Sequence, residues 1–278
     1  MPRQHLVCLT FDFDAMSGFV ARKMMTPTPV SRGEFGAVGV ERLLALLASR
    51  DIVSSWFIPG VVLGTYPELC ARIHAAGHEI GHHGWTHVTP ASLSREEELD
   101  ALRRGNDAIA EVTGQQARGY RSPAWDLSAH TIELLLQEGF IYESSMMGHD
   151  YLPYQARRGD IVREDGPMTF GEPTPLVEMP ISWTLDDHPH FEFIVSRNGV
   201  MPGLQNASNV LENWLDDFHY MQRELDWGVI TYTCHPLVIG RGHRMLMLER
   251  LINTLAEQGG EFVTLETAVA RYQARKVA

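Results

Sequence analysis

The stretch HEIGHHGWTHVTP, residues 78–90, contains four histidines and raises the question of a metal site. His83 and His87 are four residues apart, so on one helical turn their side chains would share a face and reach a single cation. Imidazole is the commonest protein ligand for metals. The alternative is a polar loop that happens to be rich in histidine, because this spacing alone is a weak signal.

Two acidic residues near the N-terminus could complete such a site, since a catalytic divalent metal takes three protein ligands and keeps a position for water. Asp12 and Asp14 end the apolar run LVCLTF. Residues two apart on a strand point to the same side, so both carboxylates would enter one cavity, where their repulsion requires a cation or a shared proton. The alternative is a pair of solvated loop acids.

Two further polar residues follow apolar runs later in the chain. In GYRSPAW, Arg121 could pair with a carboxylate in a bidentate manner and keep it ionised, or it could be an ordinary surface arginine. In ITYTCHP, His235 could donate a proton to a leaving nitrogen, or it could be a structural histidine. Cys234 is a poor candidate nucleophile, because neighbouring strand residues face opposite sides.

These candidates must be positioned by a repeated pattern of short β-branched runs and longer helical stretches. Strands are predicted at LVCLTFDFD, VSSWFIPG, HEIGHHG, ARGYRSP, FIYESSM and GVITYTCHP. One intervening helix, SREEELDALRRGNDAIAEVTG, has Ser94 as N-cap and Gly114 as its stop. Strands separated by single helices imply a mostly parallel sheet, and the chain length predicts an α/β fold, a distorted (β/α) barrel of about seven parallel strands.

The candidate residues all lie at or just beyond the ends of predicted strands, which is where barrels of this kind carry their chemistry. We expect a single catalytic domain over residues 1–278. Two stretches rich in Gly, Pro and charge, Ala15 to Ala37 and Asp150 to Pro175, interrupt the pattern. We expect long loops there that line the site or make a subunit contact.

Composition excludes several functions. The formal net charge of -12 and the lack of a Lys/Arg run argue against a nucleic-acid partner. No apolar run approaches the ~20 residues that span a bilayer, so no membrane partner is expected. The N-terminus lacks the apolar core of a signal peptide, and three scattered cysteines suggest reduced thiols. We therefore expect a cytoplasmic protein.

Taken together, the motifs make the chain resemble the polysaccharide deacetylase family, the NodB-homology hydrolases of amide bonds on amino sugars. The family's TFDD pattern appears as TFDFD (Thr10 to Asp14), and its GHEIGNHTxTH as GHEIGHHGWTH (Gly77 to His87). Its RxP appears as Arg121-Ser122-Pro123, and His235 matches its late histidine. The resemblance runs from the first strand to about residue 240 and implies a barrel of the NodB-homology type.

One departure from the family's pattern makes the chain resemble a particular branch of the family. Phe13 separates the two acids that are adjacent in exported members of the family. This feature resembles a cytoplasmic branch that includes peptidoglycan deacetylase-like proteins and, by similarity, hydrolases of cyclic imides and allantoin. The resemblance to that branch also suggests a homo-oligomer, a tetramer built in part from the mid-chain loop.

The resemblance implies roles for the candidate residues. Asp12 would act as the base that deprotonates water, with Arg121 keeping it ionised, and His235 would protonate the departing nitrogen. Backbone N–H groups near Ser122 to Trp125 would stabilise the oxyanion. The metal ligands would be Asp14, His83 and His87, and the ion a divalent metal, Zn²⁺ by expectation.

Further residues beside the motifs are candidates for substrate binding. Asp186 or Asp187 in SWTLDDHP could orient His235, and the sequence leaves open which of them does so. Three tryptophans could wall the pocket against a sugar or a flat ring, although core packing would also explain them. They are Trp85, Trp125 and Trp183.

Three functions follow as hypotheses. The first is a metal-dependent hydrolase that deacetylates an N-acetylated amino sugar, with a small-molecule or oligosaccharide amide as substrate. The second uses the same metal and base to open a cyclic imide or ureide ring. The third is a non-catalytic sugar- or metal-binding protein, which would have no evident use for an acid and a base around one cation.

Overall fold

The structure is a computed structural model that describes residues 3–196 and 199–277. Its strands in chain order are β1 (Gln4–Asp12), β2 (Ser55–Ile58), β3 (Glu79–His82), β4 (Gly119–Tyr120), β5 (Tyr142–Glu143), β6 (Tyr154–Arg158), β7 (Glu172–Glu178), β8 (Ile194–Ser196), β9 (Gly199–Met201), β10 (Trp227–Cys234) and β11 (Gly260–Phe262).

Nine of these strands form one curled sheet in the order β10-β1-β2-β3-β4-β5-β7-β6, with β11 also paired to β1. The path from β10 to β7 is parallel and contains seven strands, whereas β6 runs antiparallel to β7 at the edge. The expected distorted (β/α) barrel of about seven parallel strands is confirmed. Strands β8 and β9 form a separate antiparallel pair.

Helices cover the outside of the sheet. They are α1 (Ser17–Ala21), α2 (Pro27–Ala48), α3 (Gly60–Thr65), α4 (Pro67–Ala75), α5 (Arg95–Thr113), α6 (Thr131–Gln137), α7 (Asp187–Phe191), α8 (Ala207–Glu224), α9 (Pro236–Ile239), α10 (Gly242–Glu257) and α11 (Leu265–Val277). In the part of the chain that the structure describes, no helix is both long and apolar enough to cross a membrane.

Burial explains why the central strands form where they do. Every residue of β10 is buried, and so is every residue of β1 after Gln4, as expected for parallel strands covered on both faces. Helix α5 begins at the predicted N-cap, where Ser94 and Glu97 form a capping box. It ends at Gly114 in the left-handed conformation, as the sequence indicated.

The predicted loop from Ala15 to Ala37 is wrong, because most of it is helical. Helix α2 begins at Pro27, and proline is tolerated in a first turn, where its missing N–H has no intrahelical partner. A Cβ on Gly33 would lie 2.4 Å from the Met16 Cα atom, so this glycine allows α2 to pack directly on the chain that leaves β1. In the sequence, the glycines of this helix resemble loop signals, although in the structure they permit close packing.

The second predicted loop, Asp150 to Pro175, is partly wrong. It contains β6 and the start of β7, whose antiparallel pairing makes a hairpin arm at the sheet edge. The strands of this arm are half exposed and interrupted by a register shift, so they lack the continuous apolar pattern of the central strands.

The sheet register brings the predicted site residues to one edge. Phe11 in β1 is opposite Cys234 in β10, which places Asp12 level with His235. His82 at the end of β3 is opposite Tyr120 in β4, so the residues that follow these two strands are also level. The carboxyl ends of at least four parallel strands therefore meet at one place.

Candidate active site

The loop that follows β3 carries the two histidines that were predicted to bind metal. It is not the helical turn that the spacing suggested, because Gly84 and His87 have positive φ angles of 72° and 59°. Glycine adopts this conformation without strain, whereas histidine does so at a cost. His83 and His87 nevertheless converge, with ring centroids 5.0 Å apart.

The other two histidines of this stretch have structural roles. The Nε2 atom of His82 lies 3.0 Å from the carbonyl oxygen of Leu102 and therefore donates to it, while its Nδ1 accepts from the Gly84 N–H at 3.0 Å. Nδ1 of His78 accepts from the backbone N–H of Ser54 at 3.2 Å. His82 thus holds the start of the loop on which His83 stands.

The protonation state of His83 follows from its neighbours. Its Nδ1 lies 2.8 Å from the carbonyl oxygen of Arg121, which can only accept, so Nδ1 carries a hydrogen. Burial lowers the pKa of His83 despite the nearby carboxylates, which favours the neutral ring. Its Nε2 then carries a lone pair, and this atom lies 3.4 Å from Oδ1 of Asp14. Two acceptors facing each other repel unless a cation or a proton lies between them.

Three observations show that a divalent metal fits here. Oδ1 of Asp14 is buried and has no hydrogen-bond donor among the described residues. Its other oxygen lies 3.2 Å from Nε2 of His87, and one ligand atom from each of the three residues lies within 4.8 Å of the others. Ligands at zinc distances in a tetrahedron are about 3.3–3.4 Å apart. The donor set of two imidazoles and one carboxylate is one that zinc accepts.

The electrostatics of Asp14 agree with this fit. Burial raises the pKa of its carboxyl group, but the three imidazoles around it lower the pKa by more, with His87 the strongest. The net result is a pKa well below the usual range. Asp14 is therefore an anionic ligand at neutral pH.

Asp12 lies beside this group but has a different partner. Its Oδ1 accepts from Nη1 of Arg121 at 2.7 Å, and both side chains are almost completely buried. The same nitrogen also donates to Oγ1 of Thr10. The predicted bidentate pair is wrong, because the remaining guanidinium nitrogens donate to the backbone and side chain of Ser144. Oδ2 of Asp12 is left facing Nε2 of His83 at 3.9 Å.

His235 also faces the two acids. Its Nε2 is 4.0 Å from Oδ2 of Asp12 and 3.8 Å from Oδ2 of Asp14. Its Nδ1 donates to Oδ1 of Asp187 at 2.8 Å, and Asp187 also accepts from the His235 backbone N–H. Asp186 is 3.5 Å from Nδ1 and instead caps α7 by accepting from the backbone N–H of His188.

The acids around His235 determine its charge. Burial lowers its pKa, but Asp186, Asp187 and Asp14 raise it by more, so the pKa lies well above the usual histidine value. Burial raises the pKa of Asp186 to about 7. The geometry thus distinguishes the two acids that the sequence left open, because Asp187 makes the orienting hydrogen bond.

Buried polar groups at the ends of β5 and β7 hold the loop that begins with Arg121. The backbone N–H of Ser122 donates to Oγ of Ser145 at 2.8 Å, and that hydroxyl donates onward to Glu143. The backbone N–H of Ser145 donates to Glu143 and to Glu178 at 2.9 and 3.0 Å. The loop that begins with Arg121 is therefore tied to the ends of β5 and β7.

A cavity of about 260 Å³ opens over these residues. Trp125 and Trp183 form one wall, with stacked rings 4.1 Å apart. Trp85 lies elsewhere, which corrects its expected place in this pocket. Its ring packs on Gly60 and under the guanidinium of Arg104, and it lines a separate cavity of about 140 Å³.

The family follows from comparison with known proteins. The family model for polysaccharide deacetylases matches residues 2–142. A peptidoglycan deacetylase of Helicobacter pylori is 35% identical over 273 residues, covering 94% of this chain and 93% of the relative. The chain belongs to the polysaccharide deacetylase family. Membership supports hydrolysis of a carbon–nitrogen bond as its chemistry.

Solved structures agree on the deacetylase fold. A Mycobacterium smegmatis protein described as a candidate polysaccharide deacetylase superposes with a TM-score of 0.83 at 30% identity, covering 99% of this chain and 92% of that one. The Puue allantoinase superposes with a TM-score of 0.77 at 18% identity, covering 97% and 90%. The similarity to the allantoinase is evidence about the fold alone.

In this member of the family, sequence reasoning missed several residues of the pocket. Arg22 and His188 line it, together with Pro189 and Met201. His188 directly follows the two predicted acids, so the run DDHPH was a usable signal. Arg22 and Met201 had no such signal. Arg22 lies in the stretch that was predicted to be a loop, and Met201 ends strand β9, which the sequence did not predict.

Proposed function

We propose that this protein is a metal-dependent deacetylase of an N-acetylated amino sugar, with residues 1–278 forming one catalytic domain. One observation carries the proposal. The lone pair of His83 and the unpartnered oxygen of Asp14 face each other, beside an acid that Arg121 holds and an imidazole that Asp187 holds. A base and an acid on opposite sides of a metal site are what amide hydrolysis requires.

The ligands of the ion would be Asp14, His83 and His87. When bound, a divalent ion would supply Lewis acidity, lowering the pKa of water and polarising the acyl oxygen. Asp12 is the base in this proposal, because Oδ2 is left free by Arg121 and faces the same space. The buried guanidinium stabilises the Asp12 carboxylate and fixes its orientation.

His235 is the proton donor to the leaving nitrogen. Its Nδ1–H is engaged by Asp187, so the proton available to the substrate is the one on Nε2. That atom lies 4.0 Å from Oδ2 of Asp12, and Nε2 of His83 lies 3.9 Å from the same oxygen, so the proposed base and acid both face the proposed metal site. Asp187 acts as a positioning residue because it fixes the ring and stabilises its charged form.

One backbone N–H group of the predicted segment, Ser122 to Trp125, remains available to stabilise the oxyanion. The Ser122 N–H donates to Ser145, the Trp125 N–H donates to the Ser122 carbonyl, and Pro123 has none. The remaining residue, Ala124, has φ of 57° and lines the cavity. We therefore assign the Ala124 N–H to the oxyanion in this proposal.

A cyclic imide or ureide is the second candidate substrate, and the size of the cavity favours it. At about 260 Å³ the cavity lies slightly below the range typical of small-molecule sites, about 300–1,000 Å³. A single ring fits such a space better than an extended polymer. The Trp125–Trp183 wall would suit either a sugar or a flat ring.

Turnover with two substrates separates the candidates. An N-acetylglucosamine oligomer should release acetate, whereas succinimide should give a ring-opened acid without acetate. Acetate release from the oligomer supports the deacetylase, and ring opening alone would move the protein to the cyclic amidases. Metal binding without turnover of either substrate would support the third hypothesis, a non-catalytic sugar- or metal-binding protein.

The proposal also includes a cytoplasmic homotetramer. The three cysteines are free and buried, as suits a reducing compartment. The arm formed by β6 and β7 exposes apolar side chains, including Val162 and Phe170 at 76% and 69%. Exposed apolar patches of this kind mark contacts with other chains.

A further inference from the structure

Arg22 is a cation at the mouth of the catalytic cavity that the proposed reaction does not use. It directly follows α1 and lines the cavity together with Asp14 and His87. A methyl group on Gly18 would touch all three side chains, lying 3.6 Å from Nη1 of Arg22 and 3.9 Å from both Oδ2 of Asp14 and Nδ1 of His87. The guanidinium therefore lies beside the proposed metal ligands.

The charge of Arg22 is not balanced by the protein. Its Nη1 donates to the carbonyl oxygen of Gly18 at 3.2 Å, and within residues 3–196 and 199–277 it forms no ion pair with an acid. The acids that line the cavity have other partners: Asp12 pairs with Arg121, Asp14 faces His83 and His87, and Asp186 accepts from the His188 backbone N–H. An uncompensated guanidinium in a cleft attracts an anion from solution.

His188 provides a second polar group on the same cavity. Its ring centroid lies 5.1 Å from that of His235, and the residue lines the cavity with Arg22. Burial lowers its pKa first, and the neighbouring positive charges of His235 and Arg22 lower it further. A neutral imidazole offers one N–H donor, and the described residues provide no hydrogen-bond partner for its ring.

We propose that Arg22 and His188 form a carboxylate-binding subsite, so that the preferred substrate carries a carboxylate close to the scissile amide. This inference rests on the proposed function and specifies its substrate class, an N-acylated compound with an acidic substituent. The planar guanidinium matches a carboxylate with two parallel hydrogen bonds. The closeness of Arg22 to Asp14 places the substituent within about one ring of the acyl group.

N-acetylmuramic acid and N-acetylglucosamine test this inference, because they differ in one lactyl group that carries a carboxylate. We expect the wild-type enzyme to favour N-acetylmuramic acid in kcat/KM. The variant Arg22→Gln should lower the ratio of the two kcat/KM values about tenfold to hundredfold, the worth of a charge-assisted hydrogen bond. The change should lie mainly in KM, because the carboxylate does not take part in the reaction.

Lys23→Gln is the matched control, since it removes the same charge from the next residue, which is exposed like Arg22 but does not line the cavity. It should leave the ratio unchanged. Arg22→Lys should give an intermediate ratio, because it keeps the charge but loses the planar fork. An Arg22→Gln enzyme with the wild-type ratio would overturn the subsite while deacetylation stands.

Affinity measured by calorimetry separates failure of the inference from failure of the proposed function. If neither sugar releases acetate, the proposed deacetylation is wrong. The subsite is then judged by binding alone, and it requires tighter binding of N-acetylmuramic acid that Arg22→Gln removes and Lys23→Gln preserves. Equal affinities for the two sugars would overturn it.

Discussion

Asp12 and Asp14 are chemically alike, yet their neighbours give them different tasks. Phe13 between them is completely buried and packs against Tyr66 with ring centroids 5.8 Å apart, so its side chain is directed into the core. Both acids consequently face the cavity. Arg121 forms an ion pair with Asp12, the proposed base, whereas imidazoles surround Asp14, the proposed metal ligand.

Replacing the proposed base tests this division of tasks. Asp12→Asn keeps the size and the hydrogen bond from Arg121 but removes the charge, so kcat should fall about 10²–10⁴-fold. The metal content should stay that of the wild type, because the ligands are intact. Steady-state kinetics with elemental analysis would show both effects, and an Asn variant with normal kcat would exclude Asp12 as the base.

Asp187 should control the pH range of activity. The acid His235 must be protonated, so activity falls as pH rises through its pKa, which burial lowers but Asp186 and Asp187 raise well above the usual value. Asp187→Asn removes part of this increase, and the alkaline limb of kcat/KM should move to lower pH. If the alkaline limb of the Asp187→Asn variant stayed at the wild-type pH, His235 would not be the titrating acid.

The ends of β5 and β7 form the support on which the catalytic loop rests. Ser145 joins them, because it accepts from the Ser122 N–H and contacts both Glu143 and Glu178. Burial raises the pKa of Glu178 well above the usual carboxyl value, and the adjacent Glu143 raises it further. Its Oε2 lacks a donor among the described residues, as suits a protonated group or a proton shared by the pair.

Stability should therefore depend on pH through Glu178. The folded protein binds this proton more tightly than the unfolded chain, so the free energy of unfolding falls as pH rises above the ordinary carboxyl pKa of about 4.3. Glu178→Gln keeps a neutral group of similar shape. Relative to the wild type, the variant should gain stability between pH 5 and pH 9 in urea unfolding.

A matched control is available on the same strand. Glu172→Gln changes an exposed carboxyl group at the start of β7 and should leave the pH dependence as it is in the wild type. If Glu178→Gln shifted stability equally at pH 5 and pH 9, the pair would not hold an extra proton in the folded state.

Local patterns in the sequence predicted the central strands, but contacts distant in sequence determined the rest. The run LVCLTF and the Ser94 cap are local signals, and they predicted β1 and the start of α5. His83 and His87 converge through left-handed backbone in a loop, which no periodicity reveals. The contact between Ser145 and the Ser122 N–H joins residues 23 positions apart and has no sequence signature.

The sheet as a whole has two different edges. On the described path, β10 lies at one end and the antiparallel arm of β6 and β7 at the other. An isolated bridge pairs Asp186 with Thr233, so the segment after β7 returns alongside β10 and brings both acids to His235. The candidate active site therefore includes residues from β10 and from the segment that follows β7.

The exposed arm should form a subunit contact. We expect the wild-type protein to elute as a tetramer, and the double substitution Val162→Asp with Phe170→Asp to produce smaller species, because it places charge on an apolar contact. Leu246→Asp changes an equally exposed apolar residue on α10 and serves as control. Light scattering would measure the mass, and a monomeric wild type would contradict the expected assembly.

The most direct test is metal content measured together with turnover. We expect about one divalent ion per purified chain, chelator-sensitive release of acetate from an N-acetylglucosamine oligomer, and recovery on adding zinc. Asp14→Asn should lose both the ion and the activity. A wild-type protein that hydrolyses the amide without metal, or an Asp14→Asn variant that keeps a full equivalent of the ion, would contradict the assignment of Asp14, His83 and His87.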